Sequence, residues 1–185
     1  QLVFRCSPGK GEKSMQLFDL DPEITYLNHA AVAPWPSVTE QAVRQFAEEN
    51  RRWGATHYPR WLETERRLRV SLAALINAPS ADDIGLLKNT SEGLSTVAYG
   101  LSWQAGDNIV SILQEFPSNR IVWESLQNVY GVVVSIVSAS NGETLEDAII
   151  TACTPKTRLI SVSSVSYASG YRMDLNRLGD YCAQQ

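Results

Sequence analysis

The segment Lys88-Asn89-Thr90-Ser91-Glu92-Gly93 places two hydroxyls, a glycine and a helix-capping residue where a predicted strand gives way to a predicted helix. Asn89 and Glu92 have capping-box spacing, which satisfies free N–H groups in the first turn of a helix. The same position suits a phosphate, because free N–H donors, the positive end of the helix dipole and the Thr90 and Ser91 hydroxyls meet there. Gly93 would leave room for close approach. Taken alone, the pattern is more often that of a plain capped helix.

Two comparable junctions follow. Gln114-Glu115-Phe116-Pro117-Ser118-Asn119 sets an aromatic ring at the carboxyl end of a strand, and Ser163-Ser164-Val165-Ser166-Tyr167-Ala168-Ser169-Gly170 sets a hydroxyl cluster there. Separately, Phe116 reads as a core residue and Ser163–Ser169 as a polar loop. In open α/β sheets, however, ligands bind outside the carboxyl ends of the strands. A phosphate cradle, an aromatic plate and a hydroxyl cluster would then converge on one cleft, as a planar, phosphorylated ligand requires.

The elements that must position these groups show in the periodicity. Tyr26–Ala31, with Pro34 and Pro36 beyond, reads as extended chain with sharp turns. Ser37 can cap a helix carrying Val38, Ala42, Phe46 and Trp53. A second helix starts near Pro59, carries Trp61, Leu62, Leu68, Leu72, Leu75 and Ile76, and ends at Asn77-Ala78-Pro79. From residue 80 strands and helices alternate. The strands expected are Ile84–Lys88, Asn108–Leu113, Val132–Val137 and Leu159–Val165. The helices expected are Ser91–Leu101, Ser118–Val129, Leu145–Cys153 and Leu175–Gln185. Apolar runs such as Val132-Val133-Val134 predict strands buried on both faces, as in a parallel sheet covered by helices. The fold class is α/β.

Composition narrows the functions. The 185 residues are 44% hydrophobic and 19% charged, which suits a folded domain. A formal charge of −4 argues against a general nucleic-acid binder. Arg44, Arg51, Arg52, Arg60, Arg66, Arg67 and Arg69 cluster in the first two helices, but Glu40, Glu48, Glu49, Glu63 and Glu65 interleave with them, as on a solvated, ion-paired face. The longest apolar stretch, around Gly131–Val137, falls far short of the ~20 residues of a membrane span. Cys6, Cys153 and Cys182 share no metal-ligand spacing and read as reduced thiols of a cytoplasmic protein. Gly9-Lys10-Gly11-Glu12-Lys13-Ser14 looks like a phosphate loop, but Glu12 stands where glycine must precede Lys-Ser. It is read as part of a flexible leader.

The order of segments resembles the N-terminal half of class V aminotransferases, the pyridoxal-phosphate enzymes that include cysteine desulfurases, selenocysteine lyases, kynureninases and isopenicillin-N-epimerase-like proteins. The resemblance rests on Tyr26–Ala31, Asn89–Gly93, Gly106–Val110 with Glu115–Asn119, and Ser161–Gly170 followed by Tyr171–Leu175. It implies a partial large domain of the fold-type I architecture, cut after about four strands. Residues 1–22 would be the leader, 23–79 an extended segment with two helices, and 80–185 the incomplete α/β part.

The resemblance also implies roles. Thr90 and Ser91 match the residues that hold the cofactor phosphate, and Phe116 the position that stacks on the pyridine ring. Desulfurases carry histidine at that position, and phenylalanine cannot transfer protons. Tyr167 falls where desulfurases use asparagine to contact the cofactor's phenolic oxygen. Asn28, His29, Ala30 and Ala31 match the substrate side of the cleft; a structural or solvent-facing His29 is the alternative. The Schiff-base lysine, the pyridine-pairing aspartate and the substrate-binding arginine of the family have no match. Lys88 and Lys156 are the only lysines beyond residue 13, and neither matches the Schiff-base position. The chain is therefore expected to bind pyridoxal phosphate without covalent attachment, to be incompetent alone, and to act on a small amino acid only if completed by a C-terminal half. An incomplete sheet leaves edges that invite association, so a homo-oligomer, a dimer first, is expected. A non-catalytic ligand-binding or protein-interaction domain is the alternative reading.

Overall fold

A computed structural model of the chain describes residues 17–140 and 142–185. Cys6, the Gly9–Ser14 segment and most of the expected leader lie outside the described residues. The chain divides into two compact units, the first ending at Ile84 and the second spanning Gly85–Gln185.

The first unit is built on helices α1 (Ser37–Trp53) and α2 (Tyr58–Ile76). Pro59 sits in the first turn of α2, where a missing N–H breaks no helical bond. Asn77 closes α2 in the left-handed region at φ 56°, and Pro79 forbids continuation. The Phe46 and Trp61 rings join the helices edge to face, 5.1 Å apart. Arg44, Arg51, Arg52, Arg66 and Arg69 each pair with a glutamate on their own helix. Such exposed, solvent-screened pairs contribute little to stability.

The second unit holds three strands, β1 (Asn108–Ile112), β2 (Val133–Val137) and β3 (Thr157–Ile160), all parallel in the order β2-β1-β3. The Ile84–Lys88 segment, expected as a fourth strand, is not one. A strand exists by pairing its N–H and C=O groups with a neighbour, and no described strand runs beside this segment. β3 also stops five residues short of Val165. Ser161 still donates to the Val110 carbonyl (2.9 Å), but the next inward N–H, that of Ser163, turns to the Glu115 carboxylate instead.

β1 lies in the middle and is buried along its whole length. The Val132–Val134 run does not behave as expected: β2 is an edge strand, and Val133 is 50% exposed. Helices α3 (Thr90–Gly100) and α4 (Ser118–Tyr130) cover one face of the sheet, around Ile109, Trp123 and Leu126. Helices α5 (Leu145–Ala152) and α6 (Leu175–Ala183) cover the other, around Val110, Ile112, Ile149 and Leu178. Alternate residues of β1 thus feed opposite cores, as a pleated strand requires. Gly131 ends α4 at φ 68°, where a Cβ would also meet the Ala105 Cβ at 3.3 Å.

This topology sets a switch point. The chain leaves β1 toward α4 on one face and leaves β3 toward α6 on the other. Neighbouring strands whose exits diverge form a topological switch point, the usual ligand position of such sheets. Here it lies at the carboxyl ends of β1 and β3.

Candidate functional site

Asn89 caps α3: its Oδ1 accepts the Glu92 N–H at 2.9 Å. The reciprocal half of the expected capping box differs, because the Glu92 carboxylate accepts from the Lys88 N–H (2.6 Å), one residue before the cap. The Thr90 and Ser91 N–H groups donate to no group among the described residues. The room expected beside Gly93 is not open to a ligand: a Cβ there would meet the Leu87 side chain at 3.3 Å. That glycine serves packing.

The Ser91 hydroxyl donates to the Ser118 hydroxyl at 3.0 Å. Ser118 is the first residue of α4, so the amino ends of α3 and α4 converge. Two positive dipole ends, free N–H groups and three hydroxyls (Thr90, Ser91 and Ser118) form a donor-rich set that suits an acceptor-only group such as phosphate. The acidic exception is Glu92, whose carboxylate is turned to Lys88.

Two residues before Ser118, Phe116 is 47% exposed, which sets aside its reading as a core residue. Its ring meets that of Tyr167 edge to face, with centroids 5.1 Å apart and planes at 87°. Tyr167 is 64% exposed, and its hydroxyl makes no hydrogen bond among the described residues. The pair presents an aromatic surface with a polar tip beside the switch point.

Tyr167 rides on the tip of a tight hairpin. Val165 and Arg172 form an antiparallel bridge, Ser166 donates to the Tyr171 carbonyl (2.9 Å), and Gly170 turns the chain at φ 71°. The hairpin is tied down by buried Glu146, which accepts from the Tyr171 hydroxyl and the Asp174 N–H, each at 2.7 Å. Burial pushes the Glu146 carboxyl up, but these hydrogen bonds outweigh it and hold the group below its ordinary value. The same bond raises the Tyr171 hydroxyl.

Glu115 is the group that sequence reasoning quoted without giving it a role. It lies in the loop that follows β1 and is 4% exposed. Its carboxylate accepts from the Phe116 N–H (2.9 Å), the Ser163 N–H (2.7 Å) and the Ser163 hydroxyl. Beneath it, Asn119 accepts from the Ser161 hydroxyl (2.6 Å) and the Trp123 indole N–H (3.1 Å). A charged residue shortly after an apolar strand and directly before Phe-Pro was the available signal.

Asn28, His29, Ala30 and Ala31 form an exposed turn of the first unit, in which the Ala31 and Val32 N–H groups both reach the Asn28 carbonyl (3.2 Å). The His29 ring packs on Tyr26 with centroids 5.1 Å apart. Lys156 stands at the start of β3, where its carbonyl accepts from Asn108 N–H, so it belongs to the amino ends of the strands. Cys153 and Cys182 are free thiols. Among the described residues no helix is long and apolar enough to cross a membrane, and no group of His, Cys, Asp and Glu side chains could hold a metal ion.

A family model described as aminotransferase class V matches residues 25–185. The chain belongs to the class V aminotransferase family. Among curated class V aminotransferase relatives, a protein of Methanothermobacter thermautotrophicus named "Probable cysteine desulfurase" is 35% identical over 159 residues, covering 83% of this chain and 39% of that protein. An uncharacterized aminotransferase of Schizosaccharomyces pombe is 28% identical over 178 residues, covering 92% of this chain and 42% of its own length. The chain thus spans about two fifths of the length of these relatives. In fold, a mutant of C-DES with glycine covalently linked to its PLP cofactor superposes with a TM-score of 0.81 at 20% identity, over 89% of this chain and 44% of that one. The class V chain therefore presents part of that fold.

Proposed function

We propose that this chain supplies the phosphate cradle and aromatic plate of a pyridoxal-phosphate-dependent, cysteine desulfurase-like enzyme acting on a small amino acid. The observation that carries the reading is the convergence of α3 and α4 at the Ser91–Ser118 contact, two residues from Phe116. Pyridoxal phosphate, when bound, supplies an electron sink for carbanion character on an amino-acid substrate.

The residues present fit that group. Thr90, Ser91 and Ser118 would hold the phosphate with hydroxyls and free N–H groups. Phe116 would hold the ring by stacking; it has no proton to give or take, so acid–base work falls to other groups. The unpaired Tyr167 hydroxyl would donate to the phenolic oxygen and fix the ring's rotation.

The chain by itself is proposed to bind the cofactor without catalysing turnover. Lys156 belongs to the amino ends of the strands, and five residues of β1 at roughly 3.3 Å each separate those ends from the switch point. Lys88 precedes the Asn89 cap and lends its N–H to Glu92. The free thiols of Cys153 and Cys182 support a reducing, cytoplasmic setting.

The test is titration of the chain with pyridoxal phosphate, followed by borohydride reduction and mass spectrometry. Saturable binding without a pyridoxyl-lysine is expected. No binding at millimolar cofactor would refute the cradle, and a specific adduct on Lys88 or Lys156 would refute the noncovalent reading.

A further inference from the structure

We infer that Glu115 is the positioning residue of the aromatic plate, a buried carboxylate that locks the Phe116 and Tyr167 loops into one arrangement across the switch point. The inference rests on the function proposed above and adds to it the group that holds its ring-binding surface in place.

The exits of β1 and β3 diverge, and the two loops share no strand pairing beyond Ser161. Something else must fix the distance between them. Glu115 spans the gap: one oxygen takes the Ser163 N–H on the β3 side, and the other takes the Phe116 N–H on its own loop together with the Ser163 hydroxyl. A buried charge is costly unless its lone pairs are filled, and here three donors fill them. Phe116 is the next residue after Glu115, and Tyr167 lies four residues beyond Ser163. The edge-to-face contact of the two rings is therefore set by a short chain of bonds that starts at this carboxylate.

The donor pattern demands a carboxylate. Two main-chain N–H groups face opposite oxygens of Glu115. In a glutamine, whichever way its amide is turned, an NH2 group would face one of those N–H groups. Donor would oppose donor inside a buried site, and one loop would have to move. Glu115→Gln thus changes one atom and breaks the tie.

Glu115→Gln and Ser163→Ala are to be read in the full chain in two ways. Without any cofactor, NMR reports the Phe116–Tyr167 ring contacts and the exchange of the Ser163 amide. With ligands, tryptophan fluorescence gives the dissociation constants of pyridoxal phosphate and of inorganic phosphate. Glu115→Gln is expected to weaken the ring contacts, to speed Ser163 exchange, and to raise the pyridoxal-phosphate constant about tenfold while leaving that of inorganic phosphate unchanged. Ser163→Ala keeps both main-chain bonds and is expected to give a smaller change in the same direction; it decides the matter if Glu115→Gln does not fold. Unchanged ring contacts in a folded variant would overturn the inference. So would an equal loss of both ligands, which marks general destabilisation. If the wild-type chain binds no pyridoxal phosphate, the function proposed above fails, and the ring contacts alone still decide the role of Glu115.

Discussion

The hydroxyls of Ser91 and Ser118 meet at 3.0 Å although 27 residues separate them in the chain. Each lies in the first turn of a helix, so the contact brings two amino ends to one point. Ser91→Ala or Ser118→Ala should weaken binding of both pyridoxal phosphate and inorganic phosphate by about tenfold or more, the worth of a hydrogen bond to a charged group. Isothermal titration calorimetry measures this; equal affinity in the double variant would remove the cradle from consideration.

Phe116 answers to a different ligand part. Phe116→Leu keeps apolar contact but loses the flat face, and the exposed Phe116–Tyr167 pair is lost with it. Pyridoxal-phosphate affinity should fall several-fold, with inorganic phosphate affinity unaltered. A parallel fall in both would place Phe116 in the scaffold.

The α5–α6 junction should respond to acid. Arg177 above all, with the Thr144 hydroxyl and N–H, holds the Asp147 carboxyl at about 2 against an ordinary 3.8. The sign follows: the folded-state value is depressed, so the clamp contributes fully above pH 3.8 and fades as pH falls toward 2. Urea midpoints followed by circular dichroism between pH 5 and pH 2 should drop, and Arg177→Gln should flatten the profile. A variant with the same acid slope as the parent would show that other carboxylates govern it.

Trp123 is 2% exposed and fills the core between α4 and the sheet, with its indole N–H on Asn119. Trp123→Ala should cost about 3–5 kcal/mol in equilibrium unfolding, the range for removing a large buried aromatic. A loss below 1 kcal/mol would mean that this core is not close-packed.

A homodimer is expected from the outer edges of β2 and β3 and from large exposed apolar side chains such as Ile121, Val129 and Val133. Sedimentation velocity at micromolar concentration reads it directly. A monodisperse monomer there would sink the expectation.

Much of the site was legible along the chain because its parts are local. Asn89 caps a helix through a partner three residues away, and Pro117-Ser118 opens one through its own backbone, so propensity and spacing locate both amino ends. The failures at Ile84–Lys88 and Val132–Val134 were non-local. Ile84–Lys88 has the composition of a strand, yet strand character belongs to a pair. Val132–Val134 has the composition of a central strand, yet its place at the edge is set by the sheet order. Gly93 looked like room for a ligand, and Leu87 occupies that room.

The sequence by itself determined the α/β class, the helix cap at Asn89, the helix start at Ser118, and the motifs that resemble class V aminotransferases, since each depends on neighbours within a few residues. Only the tertiary structure decided that Ser91 meets Ser118, that Phe116 meets Tyr167, and that Glu115 is a buried tie between two loops. Those relations span 27, 51 and 48 residues, and contacts at such separation come from how parallel strands and their crossovers stack.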